Sequence, residues 1–366
     1  MSDVHGGRLV GADAAVREMS ERIQAASQAR QPLRIVGGDT KSFYGRPVSG
    51  TTFKMAGYAG IVAYEPTELV ITAKAGTTLG EIDQILERNA QMLGFEPPHC
   101  GRHSTIGGVV ASGLSGPGRP WLGAVRDFVL GVETINGQGQ LLRFGGQVMK
   151  NVAGYDVSRL MAGSLGTLGV ITRVSLRVVP KPRCAATLSW GLAKSEAKAR
   201  MLEWSRQPWP ITAMAFDGTA LRVRATGSEQ ALADAIERLS PDSSVSEDDY
   251  WNRLRDFKLP VFQARNASVW RLSLPPAAPD PEDIVPDLWD WGGAQRWLMN
   301  AADGATLQRH CASHGGHAGC FRSHDQTRSP DVFMQPDQAL RGIFERLKRA
   351  FDPAGIFNPG RHFAWM

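Results

Sequence analysis

The spacing of apolar positions in the first part of the chain predicts both helices and strands. Apolar residues recur every three or four positions over 12–31, which predicts an amphipathic helix. Thr78 followed by Glu81 has the pattern of a capping box and predicts the start of a second helix. Uninterrupted apolar runs predict short strands at 33–36, 61–64 and 69–73. Strands and helices that alternate in this way indicate an α+β region.

The pattern continues along the chain and changes character near residue 182. Asn136-Gly137, a hairpin turn signal, separates two apolar runs and predicts a pair of strands. Residues 170–178 alternate between apolar and polar side chains, which predicts another strand. Further elements are predicted as strands at 185–192 and 211–216, helices at 229–239 and 336–351, and a proline-rich loop at 277–286. We therefore expect domains at 1–182 and 183–334, followed by a tail at 335–366.

Glycine and tryptophan are distributed unevenly between the two parts. Of the 40 glycines, 28 lie in residues 1–180, whereas nine of the ten tryptophans lie after residue 180. The apolar content of 42% and the charged content of 21% are ordinary for a folded protein with a core. Two regions of different physical character are therefore joined in one chain.

Several classes of protein are excluded by what the sequence lacks. It has no run of about 18 apolar residues and no apolar segment near the N-terminus, so we expect neither a membrane-spanning helix nor a signal peptide. The four cysteines are irregularly spaced, which predicts free thiols in a reducing compartment. The net charge of +5 is spread without a basic run, so nucleic acid is not an expected partner.

Three glycine-rich loops adjoin predicted strands, at residues 37–45, 104–113 and 163–172. Glycines let backbone N–H groups approach an anion closely, and the hydroxyls of Thr40 and Ser42 add donors. The first loop has the spacing of neither a P-loop nor a Rossmann fingerprint. A surface turn or close packing of chain segments would explain each loop taken alone. Together, the three loops favour a long, flat ligand that carries phosphate.

Five motifs in a fixed order resemble a known family. They are Gly37-Gly38-Asp39-Thr40-Lys41, Ser104-Thr105-Ile106-Gly107-Gly108 with Ala111, Gly123 with Arg126-Asp127, residues 150–156, and residues 163–172. This order resembles the FAD-binding domain of the vanillyl-alcohol oxidase (PCMH-type) superfamily, and residues 352–360 resemble its C-terminal segment. The resemblance implies an α+β, two-subdomain FAD-binding fold with an inserted α+β cap domain at 183–334. It also implies that the tail returns to the FAD domain.

The same resemblance implies a cofactor contact for each matched position. The FAD pyrophosphate would be held by Gly37, Gly38, Asp39, Thr40, Lys41 and Ser42. The ribityl and flavin side would be lined by Thr105, Gly107, Gly108, Ala111, Ser112 and Gly113, with Gly123 and Asp127 shaping the next wall. The site would be closed by Gly163, Gly166, Thr167, Gly169 and Ile171, and Asn358 would reach the flavin from the tail. Where relatives with covalent flavin often carry a histidine, this chain has Asp39-Thr40-Lys41, which implies non-covalent FAD.

The pattern identifies no catalytic residue. Arg322 and His324 are candidates for groups at the flavin edge or the substrate. A helix could bring His310, His314 and His317 together as metal ligands, but acidic ligands are missing and the local sequence is rich in glycine. We therefore expect a loop and a strand with incidental histidines, and no metal.

The tryptophans of the cap allow two interpretations. Trp289, Trp291 and Trp297 are expected to form the core of the cap, and a docking face for another subunit is the alternative. The choice matters because the cap is the part of the chain that would carry substrate or partner specificity.

Within the superfamily, the chain is most similar to the smaller FAD-binding subunits of bacterial glycolate oxidases. That similarity implies an oxidoreductase subunit that acts with a larger FAD-binding subunit and an iron–sulfur subunit to convert glycolate, a small 2-hydroxy acid, to glyoxylate. Two alternatives remain open: a stand-alone FAD-dependent 2-hydroxy-acid dehydrogenase of the D-lactate type, and a non-catalytic structural subunit with a decayed FAD site. We expect the protein in the cytoplasm or, at most, peripherally at the inner face of the cytoplasmic membrane.

Overall fold

The computed structural model describes residues 13–146, 156–246, 248–263, 267–282, 284–299, 303–324 and 332–366. Residues 150–155, which form most of one motif of the family resemblance, lie outside these ranges. Among the described residues, every helix is too short or too polar to reach across a bilayer.

The first part of the chain contains helices and strands in alternation. Its helices are α1 (Ala14–Gln28), α2 (Leu79–Glu87), α3 (Ile106–Ser112), α4 (Arg119–Leu122), α5 (Val125–Phe128) and α6 (Val157–Leu160). Its strands are β1 (Leu33–Val36), β2 (Thr51–Lys54), β3 (Ile61–Glu65), β4 (Val70–Lys74), β5 (Gln91–Met92), β6 (Val129–Ile135), β7 (Leu141–Gly145), β8 (Val170–Arg177) and β9 (Val179–Pro180). The predicted helices and strands of this part all form to within a few residues, whereas the pattern did not predict β2, β5, β9, α3, α4 or α5.

Two sheets position the glycine-rich loops. Strands β1 and β2 form a parallel pair, and β3, β4, β8, β6 and β7 form an antiparallel sheet in that order. Helix α2 begins with the predicted capping box, in which the Glu81 carboxylate accepts from the Thr78 backbone N–H at 2.9 Å. Helix α3 packs on β4 and β8, so the second loop lies against the middle of the larger sheet.

The second part of the chain forms one antiparallel sheet with helices. Its strands are β10 (Cys184–Gly191), β11 (Ile211–Phe216), β12 (Ala220–Gly227), β13 (Ser243–Val245), β14 (Val269–Ser273), β15 (Leu288–Asp290), β16 (Gln295–Met299) and β17 (His317–Arg322). They are ordered β13-β10-β12-β11-β15-β16-β14-β17. Its helices are α7 (Lys194–Trp204), α8 (Glu229–Leu239), α9 (Tyr250–Arg255) and α10 (Gly304–Ser313). The α+β prediction is confirmed for both parts, whereas the boundaries at 182/183 and 334/335 stay a prediction.

The three tryptophans are buried in different surroundings: Trp289, Trp291 and Trp297 are 3%, 9% and 1% exposed. Trp289 packs in a cluster of cap residues, as predicted. Trp291 instead donates to the Gly116 carbonyl, and Trp297 packs in a cluster that includes Tyr44 and Leu165 of the first part of the chain.

The predicted loop and strand form at the glycine-rich residues 313–319, where α10 ends at Ser313 and β17 begins at His317. His310 itself lies in α10 and not in the loop. The Asp303 side chain caps the first turn of α10. The buried Leu307 and Cys311 of this helix pack against the sheet.

The C-terminal tail returns to the first part of the chain. Helix α11 (Gln338–Phe351) ends next to a buried ion pair between Lys348 and Asp352, with a Nζ–Oδ2 distance of 2.8 Å. Lys348 also donates to the carbonyl of Thr167, and Asp352 accepts the backbone N–H of Phe357. Beyond this anchor, Phe357 pairs with Leu33 of β1, so the tail lies directly beside the first loop.

Candidate functional site

The first glycine-rich loop packs tightly against the segment that precedes α3. A Cβ atom at Gly37 would lie 2.2 Å from Oγ1 of Thr105, and one at Gly38 would lie 1.6 Å from the carbonyl oxygen of His103. Any side chain at either position would push the two segments apart. Glycine therefore allows the contact that joins the first and second loops.

The first loop presents backbone N–H groups that have no hydrogen-bond partner among the residues that the structure describes. Within the described ranges, no acceptor receives the backbone N–H groups of residues 37–42. Asp39 has a φ of 54°, and its carboxylate is paired with the Arg34 guanidinium at 2.5 Å. The Lys41 ammonium donates to Ser104 Oγ at 2.6 Å, and burial lowers its pKa. Successive free N–H groups beside a lysine form a concave anion site of the kind that binds phosphate.

The third loop lies on the other side of α3. The backbone N–H groups of Gly163 and Leu165 donate to the carbonyls of Val110 and Ala111, at 3.0 and 2.8 Å. Gly166 has a φ of 71°, and a Cβ atom there would lie 2.7 Å from Nδ2 of Asn358. The three loops therefore meet around one short helix, α3.

Asn358 ties the tail to two of these loops. Its Oδ1 accepts the Ile35 N–H at 2.8 Å, and its Nδ2 donates to the Leu165 carbonyl at 2.7 Å. The Asn358 side-chain amide, which is predicted to contact flavin, thus already bridges β1 and the third loop. Asn358 itself lines the space between them.

Arg361 fixes the outer part of the first loop. Its Nη2 donates to the carbonyls of Lys41, Ser42 and Tyr44 at 3.2, 3.0 and 2.5 Å. Burial, with the charge of Arg34 as a smaller cause, lowers the pKa of Arg361 to about 10. Sequence reasoning missed Arg361, because no local pattern indicates that it contacts a loop more than 300 residues earlier.

Two adjoining clefts run between the loops, with cavity volumes of about 100 and 70 Å³. The larger cleft is lined by the predicted residues Gly37, Gly38, Asp39, Thr40, Lys41, Ser42, Thr105, Gly108, Ala111, Ser112 and Asn358. The smaller cleft adds the predicted Gly107, Gly166, Gly169 and Ile171. The clefts are also lined by residues that the sequence did not predict, among them Arg34, Ile35, Val48, Met55, Ala75 and Leu165.

Five predicted cofactor residues line neither cleft. Gly113 ends α3 with a φ of 67°, and a Cβ atom there would lie 2.8 Å from the Cα of Gly163. Gly123 has a φ of 109° in a turn, and Asp127 accepts the Ala124 N–H at 2.9 Å. Thr167 is buried and donates to the Ser164 carbonyl at 2.7 Å. These residues shape the segments that carry the lining residues.

The candidate catalytic residues lie away from both clefts. Arg322 donates to the Phe262 carbonyl, and the exposed His324 contacts Ser268 through Nδ1 at 3.1 Å. The ring centres of His310 and His314 lie 4.4 Å apart, with the ring planes tilted by 35°. In the described part of the chain, no three His, Cys, Asp or Glu side chains, His317 included, are placed to hold a metal ion together.

The arrangement suits a flat ligand with a pyrophosphate. The unpaired N–H groups and Lys41 offer an anion site at one end, and the apolar faces of Ile35, Ala111 and Ile171 line the rest. FAD has both features, and the residues present therefore fit this cofactor.

Comparison with known proteins agrees with this fit. Residues 14–145 match the family described as FAD binding domain. The chain is 44% identical to glycolate oxidase subunit GlcE of Escherichia coli over 94% of this chain and 96% of the relative. It is 32% identical to glycolate oxidase subunit GlcD of Bacillus subtilis over 47% of this chain and 37% of that protein.

A solved structure supports the fold. The alkyldihydroxyacetonephosphate synthase structure matches 93% of this chain and 74% of its own, with a TM-score of 0.63 and 14% identity. That similarity concerns the fold alone. Because the 44% identity to GlcE extends over nearly the whole of both chains, the protein belongs to the FAD-dependent oxidoreductase family of glycolate oxidase subunit GlcE.

Proposed function

We propose that this chain binds FAD non-covalently between its three glycine-rich loops and acts as a subunit of a glycolate-oxidising complex. The observation that carries the proposal is the near full-length similarity to GlcE, 44% identity over 94% of the chain. The unpaired N–H groups of residues 37–42 beside Lys41 support the cofactor part of the proposal.

The residues of the two clefts would divide the cofactor between them. The first loop would hold the pyrophosphate through backbone N–H groups, Lys41 and the hydroxyls of Thr40 and Ser42. Gly107, Gly108 and Ala111 would pack against the flat part of the ligand, since they present little or no side chain. Of the predicted residues outside the lining, we expect Gly113 and Gly163 to act by keeping α3 close to the third loop.

Non-covalent binding is supported by the chemistry of the lining. A covalent link to a cofactor needs a nucleophilic side chain, of which His, Cys and Tyr are the usual sources. Among the described residues that line the two clefts, none is of these types. We therefore expect FAD to be released when the protein is denatured.

The reaction proposed for the complex is oxidation of glycolate, a small 2-hydroxy acid, to glyoxylate. When bound, FAD supplies a hydride acceptor that can pass electrons on one at a time. The chain's own contribution is to bind and orient the cofactor. The partners would be a larger FAD-binding subunit and an iron–sulfur subunit, in the cytoplasm or peripherally at the inner face of its membrane.

The first test separates cofactor binding from catalysis. The purified chain should show a flavin absorption spectrum, and acid precipitation should leave the flavin in the supernatant. A colourless protein that takes up no added FAD would overturn the cofactor proposal and favour a structural subunit. Flavin that stays with the precipitate would overturn the non-covalent mode alone.

The second test concerns the partners. The tagged chain should co-purify with a larger flavoprotein and an iron–sulfur protein, and glycolate should bleach the flavin of the assembled complex. Full bleaching of the single chain by glycolate or D-lactate, with no partner recovered, would favour a stand-alone 2-hydroxy-acid dehydrogenase instead.

A further inference from the structure

Helix α11 carries an apolar stripe that the rest of the described chain does not cover. Its apolar residues recur every three or four positions, as in a helix that packs one face against a core: Leu340, Ile343, Phe344, Leu347 and Phe351. None of these five side chains is buried, and the residue of this fully described helix that is buried is Lys348. The pattern of α11 therefore provides for a contact that the chain by itself does not make.

Two of the five apolar side chains have aromatic partners within the chain. Phe351 packs against Phe144 of β7 with ring centres 6.1 Å apart, and Phe344 lies 5.8 Å from the ring of Phe363. No helix or strand of the described residues packs along α11, which is held instead by the hydrogen bonds of Lys348. The other three apolar residues are three and four positions apart on one side of the helix, over a length of about 10 Å.

These three residues, Leu340, Ile343 and Leu347, form a surface that we name the tail face. Leu340 and Ile343 are each 44% exposed, and Leu347 is half-buried. None of the three belongs to an apolar cluster of the described core. Apolar residues exposed singly are common on protein surfaces, whereas apolar residues grouped on one surface are typical of a site that contacts another molecule.

Arginines border the tail face. Arg346 and Arg349 are exposed, lie three positions apart beside it, and form no ion pair within the described ranges. Arg341 is instead paired with Glu345 at 3.0 Å, and its guanidinium lies 4.8 Å from the ring of Trp365. The border thus carries two positive charges without a counter-charge. A partner that covers the face would gain by placing carboxylates opposite them.

The charge of this border distinguishes between the candidate occupants. A second copy of the chain would bring the same arginines against each other, and like charges across an interface oppose association. An anionic lipid surface would match the charges, but Leu340 and Ile343 are already more than half buried. They offer less apolar surface than one fatty acyl chain, which alone binds a membrane only marginally. A protein surface with an apolar centre and an acidic edge matches both features.

We propose that the tail face binds an apolar segment of the larger FAD-binding subunit, flanked by Asp or Glu residues that pair with Arg346 and Arg349. This inference rests on the proposed function for the identity of the partner, although the uncovered face itself does not. Helix α11 leads through the Lys348–Asp352 ion pair to Asn358, which lines both cofactor clefts. The larger subunit would therefore dock beside the segment that completes the wall of the proposed FAD site.

The test measures binding of the FAD-loaded full chain to the purified larger subunit by biolayer interferometry. Ile343→Asp places a carboxylate in the tail face and should weaken binding at least tenfold while the flavin spectrum stays unchanged. Arg346→Glu should slow association at least threefold and reduce its salt dependence, because charges at the edge of an interface act on association. Two matched controls in the cap should leave binding unchanged: Val285→Asp, at an apolar position that is 70% exposed, and Arg206→Glu, at an exposed arginine.

Four other results would overturn the inference. Unchanged binding of Ile343→Asp would do so and leave the proposed function standing, since the complex still forms. A wild-type chain that binds FAD but not the larger subunit would overturn the proposed complex together with this inference. A wild-type dimer in analytical ultracentrifugation that Ile343→Asp dissociates would assign the face to a second copy. Wild-type binding to phosphatidylglycerol vesicles that the same variant abolishes would assign it to a membrane.

Far-UV circular dichroism identifies a variant that fails to fold. If Ile343→Asp does so, Arg346→Glu carries the test, because it changes an exposed side chain outside the apolar stripe. Association of Arg346→Glu at the wild-type rate would then overturn the inference.

Discussion

The bridge made by Asn358 gives a prediction whose size follows from its hydrogen bonds. Asn358→Ala removes the acceptor of the Ile35 N–H and the donor to the Leu165 carbonyl. A buried polar group left without a partner costs about 1–3 kcal/mol. The Leu165 bond is buried and the Ile35 bond is partly buried, so water can reach one of the two groups. We expect the free energy of unfolding to fall by about 2–4 kcal/mol.

The same substitution should weaken FAD binding, because the bridged segments line both clefts. An affinity loss of tenfold or more corresponds to about 1.4 kcal/mol, less than the expected loss of stability. Urea unfolding of the FAD-free protein measures the first effect, and titration of flavin fluorescence on the folded variant measures the second. Asn252→Ala, at an exposed position of α9, is the matched control and should change stability by less than about 0.5 kcal/mol.

Two results would refute this reasoning. Unfolding of Asn358→Ala within about 0.5 kcal/mol of the wild type would mean that water replaces both hydrogen bonds at no cost. A clear loss of stability with unchanged FAD affinity would mean that the bridge holds the tail without shaping the cleft.

Further predictions concern the tail anchor, the first loop and acid stability. Lys348→Met should lower the free energy of unfolding in urea by about 3–5 kcal/mol, because it leaves the Asp352 carboxylate buried without its cation. Adding Asp352→Asn should recover part of that loss. Equal stability of the single and the double variant would contradict this explanation. Gly38→Ala should abolish FAD binding in a spectral titration, whereas Gly80→Ala, at an open position of α2, should leave it intact and stabilise the fold by up to about 1 kcal/mol. Burial lowers the pKa of His362 to about 4, so below pH 6.5 the unfolded chain binds more protons than the folded one. The free energy of unfolding should therefore fall by up to about 3 kcal/mol between pH 6.5 and pH 4. His362→Phe should reduce this pH dependence, and an unchanged pH dependence would assign it to other groups.

The glycine-rich loops could be predicted from the sequence because each carries its own signal. A glycine such as Gly37 follows a strand directly and indicates a close approach of two chain segments, although the local sequence does not show which segment approaches. The capping box at Thr78 is likewise a pattern of four residues, and the structure forms it as predicted.

Residues placed by long-range pairing could not be predicted in this way. Arg361 reaches the first loop because the tail pairs with β1, a contact that leaves no trace in the local sequence. Arg271 and Trp297 face the FAD domain through strand register within the cap sheet. The glycines at 315 and 316 do form the predicted turn into a strand, but His310 precedes that turn and lies in α10, which begins after the N-cap residue Asp303.

The pairing of the tail with β1 also sets when the proposed cofactor site can exist during synthesis. Ile35 and Asn358 are separated by 323 positions, and the tail supplies Asn358 and Arg361 to the wall around the first loop. At translation rates of about 5–20 residues per second, the first loop emerges roughly 15–65 s before its wall is finished. Cofactor loading would then be a late event in synthesis, and a chain terminated shortly before residue 358 would lack the Asn358 and Arg361 side chains that complete the wall around the first loop.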